Sequence, residues 1–190
     1  FLARLDLRAR SGRLALGAVD HIAVDTFLRV AYSLALLPAG GLLVHAASLA
    51  REGRAWVFSG PSGSGKTTLA RLSDDAALLS DEISIVRATR AGGVSCHGSP
   101  FWGDLGRPGE NRAVPLAAIH FLHHAERHAA TPLTPARALA ALLPNVLFFA
   151  ADAALVAGVL DVAARITSAV PCFTLDFRPE PAVWGVIAVA

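Results

Sequence analysis

The 190-residue sequence contains no methionine, a single lysine, a single tyrosine and only two cysteines. Because position 1 is not methionine either, we expect the sequence to be a fragment of a longer chain or to lack methionines that the chain carries. Cys96 and Cys172 are far apart and form no CxxC pair, so neither a disulfide framework nor a zinc site is indicated. We expect two free, buried thiols in a reducing compartment, which favours a cytoplasmic location.

The sequence also has few charged residues and little net charge. Hydrophobic residues make up 54% of the chain, charged residues 17%, and the formal net charge is +2, which predicts one well-cored domain over 1–190 and not disorder. The arginines are scattered apart from Arg4, Arg8, Arg10 and Arg13, which are expected to form a solvated strand face. No basic stripe with interleaved aromatic residues occurs, so nucleic acid is not expected as a partner. Homo-oligomerisation is left open.

An uncharged stretch of 21 residues between Arg29 and Arg51 is long enough to span a membrane. However, the Pro-Ala-Gly-Gly sequence at 38–41 interrupts it, and His45 lies in its second half. We therefore expect a buried helix, a turn and a buried strand, and no association with a membrane.

Hydrophobic periodicity predicts the secondary structure. Apolar and charged residues alternate over 4–10, and Ser11-Gly12 is expected to turn the chain into a second strand. Apolar residues recur every three or four positions from Asp20 to Leu37, which predicts an amphipathic helix that Pro38 ends. The predicted strands or buried extended runs are 4–10, 13–17, 42–49, 55–59, 76–79, 83–87, 94–97, 117–122 and 172–177, and the predicted helices are 20–37, 66–72, 135–143 and 152–168.

The most specific motif lies at 60–67, where an apolar run is followed by Gly-Pro-Ser-Gly-Ser-Gly-Lys-Thr and a segment able to form a helix. This is the complete P-loop pattern, in which glycines allow the backbone and its N–H groups to approach phosphate oxygens closely. Lys66 would reach the outer phosphates, and the Thr67 hydroxyl would bind Mg²⁺. Lys66 is also the single lysine, and an ammonium is not interchangeable with a guanidinium here. The predicted phosphate-binding residues are Gly60, Pro61, Ser62, Gly63, Ser64, Gly65, Lys66, Thr67 and Thr68.

The strand before the P-loop strand is separated from it only by the turn at 51–54. A connection this short makes an antiparallel hairpin, because a parallel crossover needs about a dozen residues or more. The predicted fold class is therefore α/β, with a mixed sheet in which an antiparallel hairpin leads into a P-loop and its helix. The N-terminal strands and helix occupy 1–40, and the nucleotide-binding core is expected at 42–87.

Asp81 is the first candidate for a carboxylate that holds a cation or accepts a proton. It ends a short apolar run, so it belongs at the rim where open α/β sheets bind ligands. The neighbouring Glu82 would point to the opposite face if both residues were extended. Asp74 and Asp75 are expected to be solvated residues at the end of the short helix. His45 could lie beside the phosphates or be a hydrogen-bonded core residue.

Two later segments also carry residues capable of chemistry. The first holds four histidines: His120, His123, His124 and His128. Three of them have helical spacing, but the segment is predicted to be a strand followed by a loop, and no carboxylate completes a ligand set, so a metal is not expected there. The second is the Gly- and Pro-rich loop 98–112, a candidate lid in which Asp104, Glu110 and Arg112 either contact a substrate or are simply solvated.

Three motifs follow one another over 42–87: His45-Ala-Ala-Ser, the Gly60–Thr67 loop, and Leu-Leu-Ser80-Asp81-Glu82 with a strand after it. Their order resembles the C-terminal kinase domain of HPr kinase/phosphorylase, and above all the smaller HPr-kinase-like proteins of bacteria. The resemblance extends more loosely through residues 98–104. That family is related in fold to phosphoenolpyruvate carboxykinase, which also places an antiparallel strand before its P-loop. The resemblance therefore implies a nucleotide-binding domain of that kind.

The resemblance implies that Lys66 and Thr67 bind phosphate and Mg²⁺ and that Asp81 is the catalytic carboxylate beside the attacking hydroxyl. It also implies that Glu82 is a second acid near the metal and that His45 is close to the phosphates. The main hypothesis is an ATP-dependent phosphotransferase that moves the γ-phosphoryl group to a hydroxyl of a peptide, protein or small molecule. The alternative is a nucleotide-binding regulatory or scaffold protein without transfer activity. Phosphorylase activity is not implied, because Thr67-Thr68 stands where the bifunctional enzymes have Ser-Glu.

Overall fold

The computed structural model describes residues 1–89 and 91–187. These residues form a mixed α/β structure with a two-stranded hairpin, a nine-stranded mixed sheet and four α-helices. The strands are β1 (Leu2–Asp6), β2 (Ser11–Ala15), β3 (Gly41–Arg51), β4 (Arg54–Ser59), β5 (Ala77–Ser80), β6 (Ile83–Ala88), β7 (Val94–His97), β8 (Ala113–His124), β9 (Ala129–Pro132), β10 (Val146–Leu147) and β11 (Cys172–Phe177). The helices are α1 (His21–Leu36), α2 (Lys66–Arg71), α3 (Pro135–Leu142) and α4 (Ala153–Ala169).

The N-terminal hairpin turns earlier than the sequence pattern predicts. Asp6 Oδ1 accepts hydrogen bonds from the backbone N–H groups of Arg8 (3.0 Å) and Ala9 (2.9 Å), which closes a turn directly after β1. The predicted strand over 4–10 is confirmed only as far as Asp6, and the turn predicted at Ser11-Gly12 is wrong because residues 7–10 form it. An aspartate side chain that binds the backbone two and three residues ahead competes with the extended conformation at this point.

Helix α1 is confirmed, but it is not the buried helix that was expected. Its N-cap Asp20 accepts from the N–H groups of Ile22 (2.9 Å) and Ala23 (3.2 Å). The helix contacts β2 and β3, but Ala23 and Ser33 are its only buried residues. Within the described residues, His21–Ala39 is the stretch long and apolar enough to cross a membrane, and 11% of its 18-residue window is buried. This is weak evidence for a span, because a signal sequence or a core helix passes the same test.

The hairpin that leads into the Gly60–Thr67 loop is confirmed. β3 and β4 pair antiparallel, with Ala46 opposite Ser59 and Arg51 opposite Arg54. β3 also pairs with β6, and the pairings β6–β7, β7–β8 and β8–β4 close a ring of five strands. β4 and β11 both run parallel to β8, so these three strands end at the same edge of the sheet.

Helices cover both faces of this sheet. On one face, α3 and α4 place Leu142, Val159 and Ile166 in a core with Val44 and Ala46 of β3. On the other face, Leu69 of α2 packs with apolar residues of β4, β8 and β11: Phe58, Leu122, Leu175 and Phe177. The start of α2 is therefore fixed by the packing of Leu69 above the parallel strands.

Most of the remaining strand and helix predictions are confirmed within a few residues. β8 is the largest difference, since it runs over Ala113–His124 where 117–122 was predicted. His123 and His124 are therefore strand residues and not loop residues, because pairing with β11 continues through both. β9 and β10 were not predicted from the sequence. Cys96 and Cys172 are free and buried, as expected.

Candidate functional site

The loop after β4 leads directly into α2, which begins at Lys66. Gly65 is the N-cap of this helix, with φ = 95°, and a Cβ atom there would lie 2.5 Å from Cζ of Phe177. Only glycine combines this backbone conformation with so close an approach. The Gly60–Thr67 loop thus depends on the end of β11 for its position as well as on its own sequence.

Lys66 is 7% exposed, and its ammonium is bound by the loop itself. Nζ donates hydrogen bonds to the carbonyl oxygens of Gly60 (2.8 Å) and Pro61 (2.8 Å). An ammonium has three N–H donors, so one donor remains beyond these two contacts among the described residues. Burial lowers the pKa of Lys66, while the negative charge of Glu82 raises it.

The end of β8 contacts the Gly60–Thr67 loop. Nε2 of His124, at the end of the strand, lies 2.8 Å from the carbonyl oxygen of Gly63, and its ring stacks on Phe177 with a centroid distance of 5.9 Å. Sequence reasoning missed this contact because it ended the strand two residues early. No local sequence pattern signals these last two strand residues, because they belong to β8 through their pairing with Asp176 and Phe177 of β11.

Asp81 and Glu82 lie in a bend between β5 and β6. The hydroxyl oxygen of Ser80 accepts from the backbone N–H groups of Glu82 (3.2 Å) and Ile83 (3.0 Å), which closes the bend. Glu82 would have faced away from Asp81 only if both residues were extended, and here they form a bend and both line the same cleft. Ser80 is a positioning residue that sequence reasoning did not assign.

A cleft of about 450 Å³ separates the Gly60–Thr67 loop from this bend and from the loop 98–112. It brings together nine of the residues predicted for the site: His45, Ser62, Gly63, Gly65, Lys66, Thr67, Thr68, Asp81 and Glu82. Gly103 and Asp104 line it from the other side. The remaining predicted residues lie behind the lining: the carbonyls of Gly60 and Pro61 hold Lys66, and the hydroxyl of Ser64 is buried without a hydrogen-bond partner in the described chain.

His45 lies on β3, half-buried in the wall of the cleft. Burial lowers its pKa, and the positive charge of Lys66 lowers it further, whereas the charge of Glu82 raises it. The imidazole is therefore neutral near pH 7 and can offer one donor and one acceptor. Of the two roles left open by the sequence, the structure favours the position in the cleft.

Arg29 of α1 is the main contributor to the site that sequence reasoning missed. Its Nη1 donates to Glu82 Oε1 (3.3 Å) and its Nε to Asp25 Oδ2 (2.5 Å). The guanidinium also lies 5.5 Å from the ring centroid of Phe101, within the range of a cation–π contact. Nothing in the sequence signals a contact between residues 53 positions apart.

The other candidate residues lie away from the cleft. Asp75 forms an ion pair with Arg51 (2.6 Å), and Glu110 pairs with Arg112 (3.2 Å) at the surface. His120 is fully buried in the sheet. Among the residues that the structure describes, there is no group of three or more His, Cys, Asp or Glu side chains arranged to hold a metal ion.

These observations define an α/β protein in which a glycine-rich loop, a buried lysine, a histidine and two acids surround one cleft. The chain belongs to the family described as SynChlorMet cassette protein ScmC, which matches residues 19–188. No curated protein matches the chain. The family description refers to a cassette and states no activity, so a function has to be argued from the cleft.

Proposed function

We propose that this protein is an ATP-dependent phosphotransferase whose Gly60–Thr67 loop is a P-loop in a domain of the phosphoenolpyruvate-carboxykinase-like kind. The observation that carries the proposal is the position of Lys66. The only lysine of the chain is almost completely buried, yet it lines the cleft, and two loop carbonyls orient its ammonium. A buried cation facing a glycine-lined cleft is suited to a phosphate chain.

The residues of the cleft fit a nucleotide and Mg²⁺. The cleft volume, about 450 Å³, lies in the range of about 300–1,000 Å³ that small-molecule sites occupy. Thr67, Asp81 and Glu82 all line the cleft, and their side chains carry oxygen atoms, the ligands that Mg²⁺ prefers. Ser64 adds a buried hydroxyl without a partner among the described residues, next to the backbone of Gly60.

The proposed reaction moves a phosphoryl group to an alcohol. The acceptor hydroxyl oxygen forms a bond to the γ-phosphorus while the bond from that phosphorus to the β–γ bridging oxygen breaks, so that ADP leaves. The hydroxyl proton passes to a carboxylate of the cleft, supplied by Asp81 or Glu82. Lys66 and the loop N–H groups bind the outer phosphates, and neutral His45 can donate a hydrogen bond to a phosphate oxygen. Mg²⁺, when bound, neutralises negative charge on the phosphates.

The proposal is tested with Lys66→Met, which removes the charge and keeps a side chain of similar length. We expect wild-type protein to bind ATP in the presence of Mg²⁺ in isothermal titration calorimetry and the variant to bind at least about tenfold more weakly, since hydrogen bonds to a buried charge contribute about that much. Arg54→Met, at the exposed far end of β4, is the matched control and should bind like wild type. Transfer is followed with γ-labelled ATP over a panel of hydroxyl-bearing peptides, proteins and small molecules.

Two results would separate the hypotheses. If wild-type protein binds no ATP, or if Lys66→Met binds it equally well, the P-loop interpretation fails. Binding that depends on Lys66 but gives no labelled product on any acceptor would contradict a phosphotransferase and favour the alternative of a regulatory or scaffold protein.

A further inference from the structure

The two acids of the cleft differ in what their carboxylates already bind. Asp81 is 3% exposed, and each of its oxygens accepts one backbone hydrogen bond: Oδ1 from Gly103 N–H (2.9 Å) and Oδ2 from Leu105 N–H (2.9 Å). The N–H of Gly106 closes the same turn on the carbonyl of Gly103 (3.0 Å). The carboxylate of Asp81 therefore organises the turn that carries Asp104 into the mouth of the cleft.

The loop 98–112 is attached to β5 on both sides of this turn. The N–H of Ser99 donates to the carbonyl of Leu79 (3.2 Å), and the N–H of Glu110 donates to the carbonyl of Leu78 (2.8 Å). Gly109 lies so close to β5 that a Cβ atom there would be 1.7 Å from the Leu79 carbonyl oxygen. The loop 98–112 therefore forms a wall of the cleft, held by its backbone hydrogen bonds to β5 and by those to the carboxylate of Asp81.

Glu82 has different surroundings. Its side chain is 29% exposed and lines the cleft, so its carboxylate can be reached by a ligand. Its protein partner is a cation, Arg29, at 3.3 Å, and Arg29 is itself held by Asp25 and by the ring of Phe101. The charge of Glu82 is also felt across the cleft, since it raises the pKa values of Lys66 and His45 against the effect of burial.

We infer that Glu82, oriented by Arg29, is the carboxylate that meets the magnesium–nucleotide, whereas Asp81 is a positioning residue that holds the turn Gly103–Gly106 in the cleft wall. This inference rests on the proposed function and assigns to Glu82 a role for which the sequence favoured Asp81. A metal or a hydroxyl needs an accessible lone pair on the carboxylate, and in this cleft Glu82 offers it. Arg29 acts only through Glu82, because it touches that carboxylate and does not line the cleft.

The test compares the isosteric variants Asp81→Asn and Glu82→Gln by two measurements on the full chain. The first is ATP affinity with Mg²⁺ and with EDTA, whose ratio gives the Mg²⁺ dependence of binding. The second is hydrogen exchange of the Gly103 and Leu105 amides, with the Glu110 amide as internal reference because its partner is a backbone carbonyl. Asparagine keeps one acceptor oxygen and turns a donor toward the second amide, so Asp81→Asn should accelerate exchange at 103 and 105 about tenfold or more.

Glu82→Gln should leave exchange at 103 and 105 unchanged and lower the Mg²⁺ dependence of ATP affinity at least about tenfold. Arg29→Gln should also lower the Mg²⁺ dependence of ATP affinity. Arg29→Lys should retain more of this dependence, because lysine keeps a cation beside Glu82. The Mg²⁺ dependence of Asp81→Asn should stay closer to wild type than that of Glu82→Gln.

The inference is overturned if Glu82→Gln keeps the full Mg²⁺ dependence, or if Asp81→Asn loses it while the amides at 103 and 105 remain protected. If wild-type protein binds no ATP at all, the proposed function fails and the role of Glu82 fails with it. The role of Asp81 is decided by exchange even in that case, so the two failures can be told apart.

Discussion

His120 provides a test of the core that is independent of the cleft. Its ring is stacked between Phe58 and Phe173, at centroid distances of 5.5 and 5.3 Å. The residue is fully buried, and neither ring nitrogen has a hydrogen-bond partner among the described residues. Burial lowers its pKa to about 4 from the ordinary value of 6.5. The folded protein therefore keeps this imidazole neutral, because a buried charge without a partner is costly.

The size of the effect follows from the two pKa values. As the pH falls through 6.5 the unfolded chain takes up a proton at His120, whereas the folded protein does so only near pH 4. The free energy of unfolding is thus unaffected by this residue above pH 6.5, falls as the pH is lowered, and levels off below pH 4. At about 1.4 kcal/mol per pKa unit the full loss is about 3 kcal/mol, of which about 2 kcal/mol falls between about pH 7 and pH 5.

His120→Phe should remove this contribution, because phenylalanine can stack between the same two rings and does not titrate. Urea unfolding is followed by tryptophan fluorescence, to which Trp184 contributes from 6.1 Å beside Phe58. Between pH 7 and pH 5, wild-type protein should lose about 2 kcal/mol more than the variant, and contributions from other histidines cancel in this comparison. His120→Leu is a smaller replacement if phenylalanine overpacks the site, and His21→Phe, at an exposed position, is the control. Equal losses in wild type and both His120 variants would refute the argument.

Two further substitutions test the packing that places the cleft. Gly65→Ala should lower the free energy of unfolding by about 1–3 kcal/mol and weaken ATP binding, because its Cβ would meet Phe177 at a strained φ. Urea unfolding and calorimetry measure both effects, and Gly17→Ala, which has open space around its Cβ, should change neither. Leu142 is the buried last residue of α3, and Leu142→Ala should lower the free energy of unfolding by about 2–5 kcal/mol in the same experiment. Leu160→Ala, 45% exposed on α4, should stay within about 0.5 kcal/mol of wild type, and a similar loss in both leucine variants would contradict the packing described.

The parts of the fold that the sequence predicted correctly depend on local chemistry. The connection between β3 and β4 is too short for anything but a hairpin. The glycine spacing before Lys66 correctly predicted a loop there and a helix that starts at Lys66. The extent of β8 could not be predicted, because it depends on pairing with β11, which lies about fifty residues further along the chain. The exposure of α1 was missed for a related reason, since its periodicity defines an apolar face but not what covers that face.

The candidate site shows the same contrast between local and long-range contributions. The sequence singled out Lys66 and the acids at 81 and 82, but it did not predict how the two acids are arranged relative to each other. It depends on the Ser80 hydroxyl, which bends the backbone, and on Gly103, whose N–H reaches the carboxylate of Asp81 from a distant loop. Hydrogen bonds between side chains and backbone of this kind leave no periodic signal in a sequence.

Strand register explains why residues from separate parts of the chain meet in one cleft. Ala46 lies opposite Ser59, so His45 on β3 lies next to the point where β4 gives way to the Gly60–Thr67 loop. Val44 and Ala46, on either side of His45, face the core under α3 and α4, and the alternation of a strand then turns His45 toward the cleft. A slip of one residue in this pairing would exchange the two faces, burying His45 and exposing its neighbours. The apolar residues that hold the register of β3 are therefore also the residues that keep His45 beside Lys66.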